Sequence, residues 1–392
     1  MANMPTDGDD VLRGDTIRGY PDDQIDGLGG NDNILGLTSK DHLWGEGGYL
    51  PDGATQRGGS DRIDGGEGND LVVGDWRHMT FRSQGGNDTL LGGAGADWVL
   101  GDSDGAIREF AAGGDDLLDG GEGDDALFGD AGSLWDEARG GNDVLHGGAG
   151  ADRLNGDASE MWGATLGGAD RLEGGSGADA LAGDGFWMSD DARGGADRLR
   201  GGDGDDAVYG DAGVMRRNSV GGADTVEGGN GNDLVCGDAW DMRGAATGGR
   251  DRLLGNAGDD VLVGDGWFVG EDAGVPRGGD DVLNGGSGND LLVGDFGVHQ
   301  DKEGAVGGKD KFVFAKGCGR DVVLDFQDGQ DKLDVAKYTG IDNFREVAKH
   351  ARAVEGGVVI DLGAAAGGKA GVDMVGLYGF NLKDLSSGDF VF

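Results

Sequence analysis

The chain has 392 residues, of which 90 are glycine and 4 are proline, and its formal net charge is −43. So much glycine excludes a conventional close-packed core, because each ordered glycine loses more backbone entropy than any other residue. The charge excludes nucleic acid and anionic membrane surfaces as partners of the metal-free chain, and it favours a hard cation that binds carboxylate and carbonyl oxygens.

Residues 1–57 contain two degenerate copies of a pattern that becomes regular further along the chain. The copies are DGDDVLRG at 7–14 and GLGGNDNILG at 27–36. We therefore expect residues 1–57 to form an N-terminal cap of degenerate repeats and not a catalytic domain.

Residues 58–310 contain nine units with one plan, each opened by a Gly-Gly pair that recurs every 27 to 30 residues. Each unit reads GGxDxUx, then GGxGxDxUx, then Gly-Asp, where U is a large aliphatic residue, and a connector follows. The U positions are aliphatic in all nine units, whereas their flanking positions vary. This alternation indicates strands with one buried face, and stacked units can bury aliphatic side chains that no single unit could bury.

The glycine-rich turns are candidate calcium sites. Glycine permits backbone conformations in which successive carbonyls point to one side, and the closing aspartate adds a carboxylate. Because Ca²⁺ takes six to eight oxygen ligands, two turns stacked one coil apart would share each ion.

The predicted ligands of the GGxGxD turns are two glycines and the closing aspartate of each turn: Gly65, Gly68, Asp70, Gly92, Gly95, Asp97, Gly120, Gly123, Asp125, Gly147, Gly150, Asp152, Gly174, Gly177, Asp179, Gly201, Gly204, Asp206, Gly228, Gly231, Asp233, Gly255, Gly258, Asp260, Gly285, Gly288 and Asp290. The predicted ligands of the GGxD turns on the opposite edge are Asp61, Asp88, Asp116, Asp143, Asp170, Asp197, Asp224, Asp251, Asp281 and Asp310.

The connectors are predicted to emerge as elongated loops along one edge. They span 76–84, 103–112, 131–139, 158–166, 185–193, 212–220, 239–247, 266–277 and 296–306, and they hold six of the eight tryptophans. One interpretation is an aromatic ridge that binds a carbohydrate, a surface polymer or a lipid interface. The other is that each loop folds back and its aromatic residue covers a sheet. Because the aromatic residue changes position from one connector to the next, we favour the second interpretation.

The C-terminal segment, residues 311–392, departs from the repeat and is predicted to form a cap. Within it Phe344, Val347, Ala348 and Ala351 lie at helical spacing, and 343–346 begins with asparagine and ends with glutamate. This pattern predicts one short helix with a capping box.

The nonapeptides resemble those of the RTX, or haemolysin-type, calcium-binding family, with small departures such as Asn256 in place of the second glycine. The segments 312–314, 325–326 and 329–335 are similar to the cap that follows the repeats in serralysin-type proteases. The final four residues, DFVF, are similar to the uncleaved export signal of this family, although they could also be a last cap strand. The resemblance implies a roll that is disordered without calcium and folded with it, export by a type I secretion apparatus, and an extracellular location.

The expected fold is therefore all-β: a right-handed parallel β-roll, or β-solenoid, with elongated loops on one edge and a small C-terminal β-rich cap with one short helix. The expected divisions are an N-terminal cap at 1–57, a nine-unit roll at 58–310, and a cap with a secretion signal at 311–392. Ca²⁺ is the expected ligand, as multiple ions, and its binding free energy would contribute to folding.

No catalytic signature is found, because the five histidines are scattered and the sequence has no HExxH, GxSxG or GK[ST] motif. We expect a calcium-binding protein that is not an enzyme, with a structural, adhesive or matrix role and polysaccharide or a cell surface as a possible partner. The alternative is a secreted effector or pore former, similar to the small RTX nodulation protein of rhizobia or to a bacteriocin. No apolar run approaches the 18 residues of a membrane helix, which favours the first class.

Overall fold

The computed structural model describes residues 5–14, 23–47, 56–270, 272, 274–297 and 305–392. These residues form a parallel β-solenoid of about ten turns with two short α-helices. The expected all-β class and parallel roll are confirmed. None of the helices in this part of the chain is long and apolar enough to cross a membrane.

Two long sheets face each other across the roll. In the described residues the first sheet contains, in spatial order, Val11–Arg13, Asn33–Thr38, Arg62–Glu67, Thr89–Ala94, Leu117–Glu122, Val144–Ala149, Arg171–Ser176, Arg198–Asp203, Thr225–Asn230, Arg252–Ala257, Val282–Ser287, Lys311–Val313, Lys332–Asp334 and Phe390–Val391. The second contains Gln24–Asp26, His42–Trp44, Leu71–Val73, Trp98–Leu100, Ala126–Phe128, Arg153–Asn155, Ala180–Ala182, Ala207–Tyr209, Leu234–Cys236, Val261–Val263, Leu291–Val293, Arg320–Val323, Met374–Tyr378, Gly357–Asp361 and Ala351–Val354.

The coils stack with equivalent residues opposite each other. In the first sheet, Leu118 pairs with Leu90 on one side and with Leu145 on the other. In the second sheet, Leu127 pairs with Val99 and with Leu154. The aliphatic positions predicted to point inward form one continuous buried column from each sheet. The core is thus a double row of single side chains, which is why it needs so few apolar residues per coil.

The connectors are more ordered than the elongated loops we expected. Seven of them contribute strands to a third parallel sheet: Ser103–Ile107, Ala131–Asp136, Ala158–Gly163, Gly185–Ser189, Ala212–Met215, Ala239–Met242 and Gly266–Val269. Most connectors have nearly equal lengths, so that the backbone groups of successive connectors lie opposite each other and can pair, as buried backbone groups must.

A second buried column runs behind the third sheet. Met161 pairs with Leu134 and with Met188, and the column continues through Met215 and Met242. These side chains are packed with alanines such as Ala138 and Ala192. The connectors therefore cover their own space mainly with methionine and alanine. Trp240 and Trp267 in addition pack on Cys236, Val263 and Val293 of the second sheet, which agrees with the interpretation that connector aromatic residues cover a sheet.

The aromatic residues of the connectors have mixed environments. Trp76 and Phe296 are buried in the second column, at its two ends. Trp135 stacks on Trp162 with ring centroids 5.7 Å apart, and Trp240 stacks on Trp267 at 5.4 Å. These four indoles are half-buried, and Phe81, Phe110, Phe186 and Phe268 are exposed.

The C-terminal segment extends both long sheets before it closes them. An antiparallel meander of Ala351–Val354, Gly357–Asp361 and Met374–Tyr378 ends the second sheet. The predicted helix is confirmed as Phe344–Ala348, and the Asn343 side chain accepts a hydrogen bond from the Arg345 N–H at 3.1 Å. A second short helix, Leu362–Ala365, was not predicted and is capped by Asp361.

Candidate metal centres

The GGxGxD turns join the first sheet to the second along one edge, which we call the tight-turn edge. Their closing aspartates are 0 to 3% exposed and form a hydrogen-bonded ladder. Asp179 Oδ1 accepts a hydrogen bond from the backbone N–H of Asp152 at 2.8 Å, and Asp206 Oδ1 accepts one from the N–H of Asp179 at 2.8 Å. Each carboxylate is thus hydrogen-bonded to the backbone of the preceding coil.

The second oxygen of each of these carboxylates is buried without a hydrogen-bond donor. For Asp179 this atom is Oδ2. A Cβ built on Gly174 would lie 2.5 Å from Asp179 Oδ2 and 2.6 Å from the carbonyl oxygen of Gly201. A carboxylate and a carbonyl oxygen from successive coils therefore converge beside a glycine, as oxygen ligands of a hard cation must. Unpaired buried oxygens are rare in folded proteins, and a bound cation would satisfy these.

The two kinds of predicted glycine ligand behave differently. The first glycine of each turn directs its carbonyl towards the unpaired carboxylate of the preceding coil, as Gly201 does. The third glycine has a left-handed backbone, as in Gly204 with φ 145°. A Cβ on Gly204 would lie 1.5 Å from the carbonyl oxygen of Gly177. The structure therefore places the first glycines beside the aspartates and the third glycines against each other.

The GGxD turns form the opposite edge, where each connector returns to the first sheet. We call this the connector edge and its residues Asp61 to Asp310 the corner aspartates. Asp170 Oδ1 accepts a hydrogen bond from the N–H of Asp143 at 2.7 Å, and its Oδ2 has no donor. A Cβ on Gly156 would lie 2.3 Å from this Oδ2 and 1.6 Å from the carbonyl oxygen of Gly183. The arrangement repeats that of the tight-turn edge.

A third row of buried aspartates is not among the ligands predicted from the sequence. It consists of the aspartates of the Gly-Asp pairs, which we call the Gly-Asp aspartates: Asp75, Asp102, Asp130, Asp157, Asp184, Asp211, Asp238, Asp265 and Asp295. They are 0 to 4% exposed. Asp157 Oδ1 accepts a hydrogen bond from the Gly168 N–H at 2.9 Å, and Asp184 Oδ1 accepts one from the Gly195 N–H at 2.7 Å. The signal was the Gly-Asp pair at one phase in all nine units, to which we assigned no role.

The N-terminal end of the connector edge holds a compact acidic cluster. Glu46 follows Gly45 and takes the place of a Gly-Asp aspartate. Glu46, Asp61 and Asp75 are all buried, and each offers a carboxylate oxygen that lies within 4.8 Å of those of the other two. Each residue also has one oxygen without a donor. Three convergent buried carboxylates fit a divalent cation.

Burial raises the pKa of most of these aspartates. It raises the pKa of Asp97 to about 7 and that of Asp179 to about 6 on the tight-turn edge. On the connector edge, burial and the nearby carboxylates raise the pKa of Asp143 and Asp184 well above the usual range. The ion pairs of the described residues involve other acids: Glu173, Asp190, Asp241, Asp280 and Asp334. The crowded ladders therefore require protons or cations.

Comparison with known proteins agrees with this chemistry. The sequence matches the family model described as RTX calcium-binding nonapeptide repeat (4 copies) at 22–49, 57–76, 80–105, 110–133, 137–159, 164–186, 191–214, 221–239, 245–266 and 277–298. Comparison with curated proteins gives no match. Among solved structures, the chain is similar to the extracellular lipase LipA from Serratia marcescens, with 16% identity and a TM-score of 0.25 over 76% of this chain and 45% of the lipase. The chain thus spans less than half the length of that lipase.

Proposed function

The chain belongs to the RTX calcium-binding repeat family, and on that premise we propose that it is a secreted protein whose roll folds when several Ca²⁺ ions bind outside the cell. RTX repeat proteins are typically exported by type I secretion, which supports the extracellular location. The observation that carries the proposal is the buried Oδ2 atom without a donor that recurs in coil after coil on both edges. We propose no catalytic activity.

The residues that would hold each ion come from adjacent coils. On the tight-turn edge, Asp179 Oδ2 and the carbonyl oxygen of Gly201 form one such pair. A bound Ca²⁺ would supply the positive charge that balances the negative charge on these oxygens. Because the ligands belong to two coils, binding favours stacked coils over separate ones, and binding free energy becomes folding free energy.

Circular dichroism tests this function directly. The full-length chain should show little β-structure in a chelator and a strong β-signal in millimolar Ca²⁺, with Mg²⁺ at the same concentration as the control. Mg²⁺ demands near-ideal octahedral geometry and gives up its water reluctantly, so it should fold the chain poorly. A spectrum that is unchanged between chelator and Ca²⁺ would contradict the proposal.

We further propose that the folded roll has a structural or adhesive role and binds polysaccharide or a cell surface through its third sheet. The stacked pairs Trp135–Trp162 and Trp240–Trp267 support this role, because each is a half-buried flat apolar surface on strands of the third sheet. The exposed rings of Phe186 and Phe268 lie on strands of the same sheet.

A binding screen in Ca²⁺ against polysaccharides, cells and liposomes tests the adhesive role. The double variant Trp240→Ala with Trp267→Ala should lose binding, and Trp98→Ala is the control, because Trp98 is exposed on a strand of the second sheet. Leakage of liposomes without binding to polysaccharide or cells would contradict the adhesive role and support a membrane-active effector.

A further inference from the structure

We propose that the connector edge carries a sealed row of divalent-cation sites, with one Ca²⁺ per coil held by one Gly-Asp aspartate and one corner aspartate from each coil. The inference rests on the proposed function, since it concerns ions of the same roll. These ligands lie outside the GGxGxD nonapeptide, and the two edges of the roll differ in charge and in the cover over their ligands.

The Gly-Asp aspartates of successive coils face each other. A Cβ on Gly194 would lie 2.0 Å from Asp211 Oδ1 and 2.4 Å from Asp184 Oδ2. A Cβ on Gly221 would lie 2.1 Å from Asp238 Oδ1 and 2.3 Å from Asp211 Oδ2. The Oδ2 atoms of Asp184 and Asp211 are buried and receive no hydrogen bond from a donor in the described part of the chain. Between two coils an unpaired oxygen such as Asp184 Oδ2 therefore lies beside a carboxylate oxygen of the next coil, here Asp211 Oδ1, which accepts the Gly222 N–H.

The corner aspartates converge on the same row. At its N-terminal end, the cluster of Glu46, Asp61 and Asp75 joins two residues at Gly-Asp positions to one corner aspartate. The equivalent residues in the middle of the roll are Asp157, Asp170 and Asp184. The negative charges of Asp157 and Asp197 both act on Asp170. Within the described residues, only the N-terminal cluster brings three carboxylates within 4.8 Å of one another, and the residues at equivalent positions in later coils share its place in the repeat.

Charge balance fixes one ion per coil. Each coil contributes two carboxylates to the connector edge and one to the tight-turn edge. Two carboxylates neutralise one divalent ion, and a buried charge is tolerated only when it is paired. On the tight-turn edge, one carboxylate per divalent ion leaves excess positive charge. Solvent and exposed acidic side chains near that edge can offset it.

The two edges differ in the burial of the chain around the ligands. Residues 181–185, which contain Asp184, are all buried, and the connector that starts there returns at Gly194, against the same row. On the tight-turn edge, Ser176 and Ala178 within the turn are exposed, and on the connector edge Ala196, which precedes the corner aspartate Asp197, is exposed as well. An ion beside Asp184 is therefore covered by buried chain and by the connector, whereas an ion on the tight-turn edge borders solvent, and the covered ion should leave more slowly because the connector must open locally.

Release of Ca²⁺ into an excess of a chelating dye tests the sealed row. The calcium-loaded, desalted full-length protein should release its ions in two phases whose rates differ by at least roughly tenfold, because the slow phase requires local opening. The double variant Asp157→Asn with Asp184→Asn should retain fewer ions by elemental analysis and lose amplitude from the slow phase. The matched control, Asp152→Asn with Asp179→Asn in the same coils, should lose amplitude from the fast phase.

Circular dichroism in saturating Ca²⁺ establishes that each variant is folded. If the double variant does not fold, ion release is measured instead on Glu46→Gln. Because Glu46 lies at the end of the row, this substitution disturbs the row on one side only. A single release phase, or an unchanged ion count and slow phase in the folded connector-edge variant, would overturn the sealed row while the calcium-dependent fold stands. A wild-type protein that retains no Ca²⁺ would overturn the proposed function itself.

Discussion

Aspartate is suited to the ladders because its two oxygens have different tasks. In Asp179, Oδ1 accepts the Asp152 N–H of the preceding coil, and Oδ2 remains available for a cation. Asparagine could perform the first task equally well. It would place an NH₂ group at the second position, where the neighbouring groups are oxygens, and a buried donor facing a cation site is costly. The choice of aspartate over asparagine therefore indicates a bound cation, because either residue could accept the backbone hydrogen bond.

The tight-turn ladder predicts cooperative loss of calcium. Replacing Asp179 and Asp206 together with asparagine should shift the Ca²⁺ midpoint of folding upward by more than the product of the two single shifts, because adjacent coils share ions. A calcium titration followed by circular dichroism measures the midpoints. Asp205→Asn is the control, since Asp205 is exposed within the same turn and asparagine keeps the oxygen that accepts the Asn232 N–H, so the midpoint should stay in place. Independent effects at Asp179 and Asp206 would argue against shared ions.

The third glycine of each turn predicts a strong steric effect. Gly204→Ala should lower the free energy of unfolding in Ca²⁺ by about 2–4 kcal/mol, because the new Cβ would overlap the Gly177 carbonyl oxygen and the backbone has φ 145°. Denaturant unfolding measures the change. Gly367→Ala separates the two causes, since Gly367 has φ 73° and open space around it, and it should cost about 1 kcal/mol. Equal losses in the two variants would exclude the overlap.

The third sheet shows how a connector can become part of the fold. Its strands align Leu134, Met161, Met188 and Met215 in one buried column. Methionine is flexible enough to fill the irregular space between a connector and the roll. The third sheet thus has its own core, separate from the aliphatic column between the first two sheets.

The methionine column predicts a stability loss without a loss of calcium. Met188→Ala should lower the free energy of unfolding in Ca²⁺ by about 2–5 kcal/mol, because it leaves a cavity in a fully buried column. Phe186→Ala, on the same strand but 38% exposed, should cost much less. Thermal unfolding and ion counting, both in Ca²⁺, distinguish the effects. Equal destabilisation by the two substitutions would show that the column is not a core.

The elements differ in how far the sequence predicts them. The two long sheets and the turn aspartates were predictable, because Leu118 and Leu127 belong to strict alternations and Asp125 closes a turn with fixed glycines. The third sheet was not, since a column of leucine and methionine among alanine, glycine and tryptophan gives no period of two. The proposed ligand role of Asp157 could not be predicted from the sequence either. Its partner Gly168 is 11 residues away, and only the closed connector brings them together.

The whole molecule carries a charge that its fold cannot balance from within. A net charge of −43 repels itself in a compact state, and the ladders concentrate part of that charge in buried rows. Protons and calcium ions can both relieve this repulsion. The metal-free chain should therefore respond to pH in the direction opposite to that of a protein held together by salt bridges.

Acidification should promote folding of the metal-free protein. Burial raises the pKa of Asp97 and Asp233 to about 7 and that of Asp125 to about 6, from 3.8. Groups with a raised pKa in the folded state stabilise it fully below about pH 4, and this stabilisation is lost as the pH rises through 6 to 7. Circular dichroism of calcium-free protein should show more β-structure at pH 4.5 than at pH 7.5, whereas calcium-loaded protein should stay folded at pH 7.5.

Salt provides the control for this pH effect. About 1 M NaCl at pH 7.5 screens exposed charges but does not protonate buried carboxyls, so it should restore little β-structure to the metal-free chain. Metal-free protein that is folded at pH 7.5 and unfolds on acidification would contradict the assignment of buried, unneutralised carboxylates.

The aspartate ladders also give the stack a direction. Each carboxylate in the ladders of closing and corner aspartates accepts a hydrogen bond from the coil on its N-terminal side. The last backbone donors, the N–H groups of Asp290 and Asp310, donate to Asp321 and Asp331 beyond the repeats. A coil that joins from the N-terminal side finds its acceptors already in place, whereas a coil that joins from the C-terminal side must bring them. We therefore expect the C-terminal segment to act as a template, with ordered growth from it towards the N-terminus, one coil and its ions at a time.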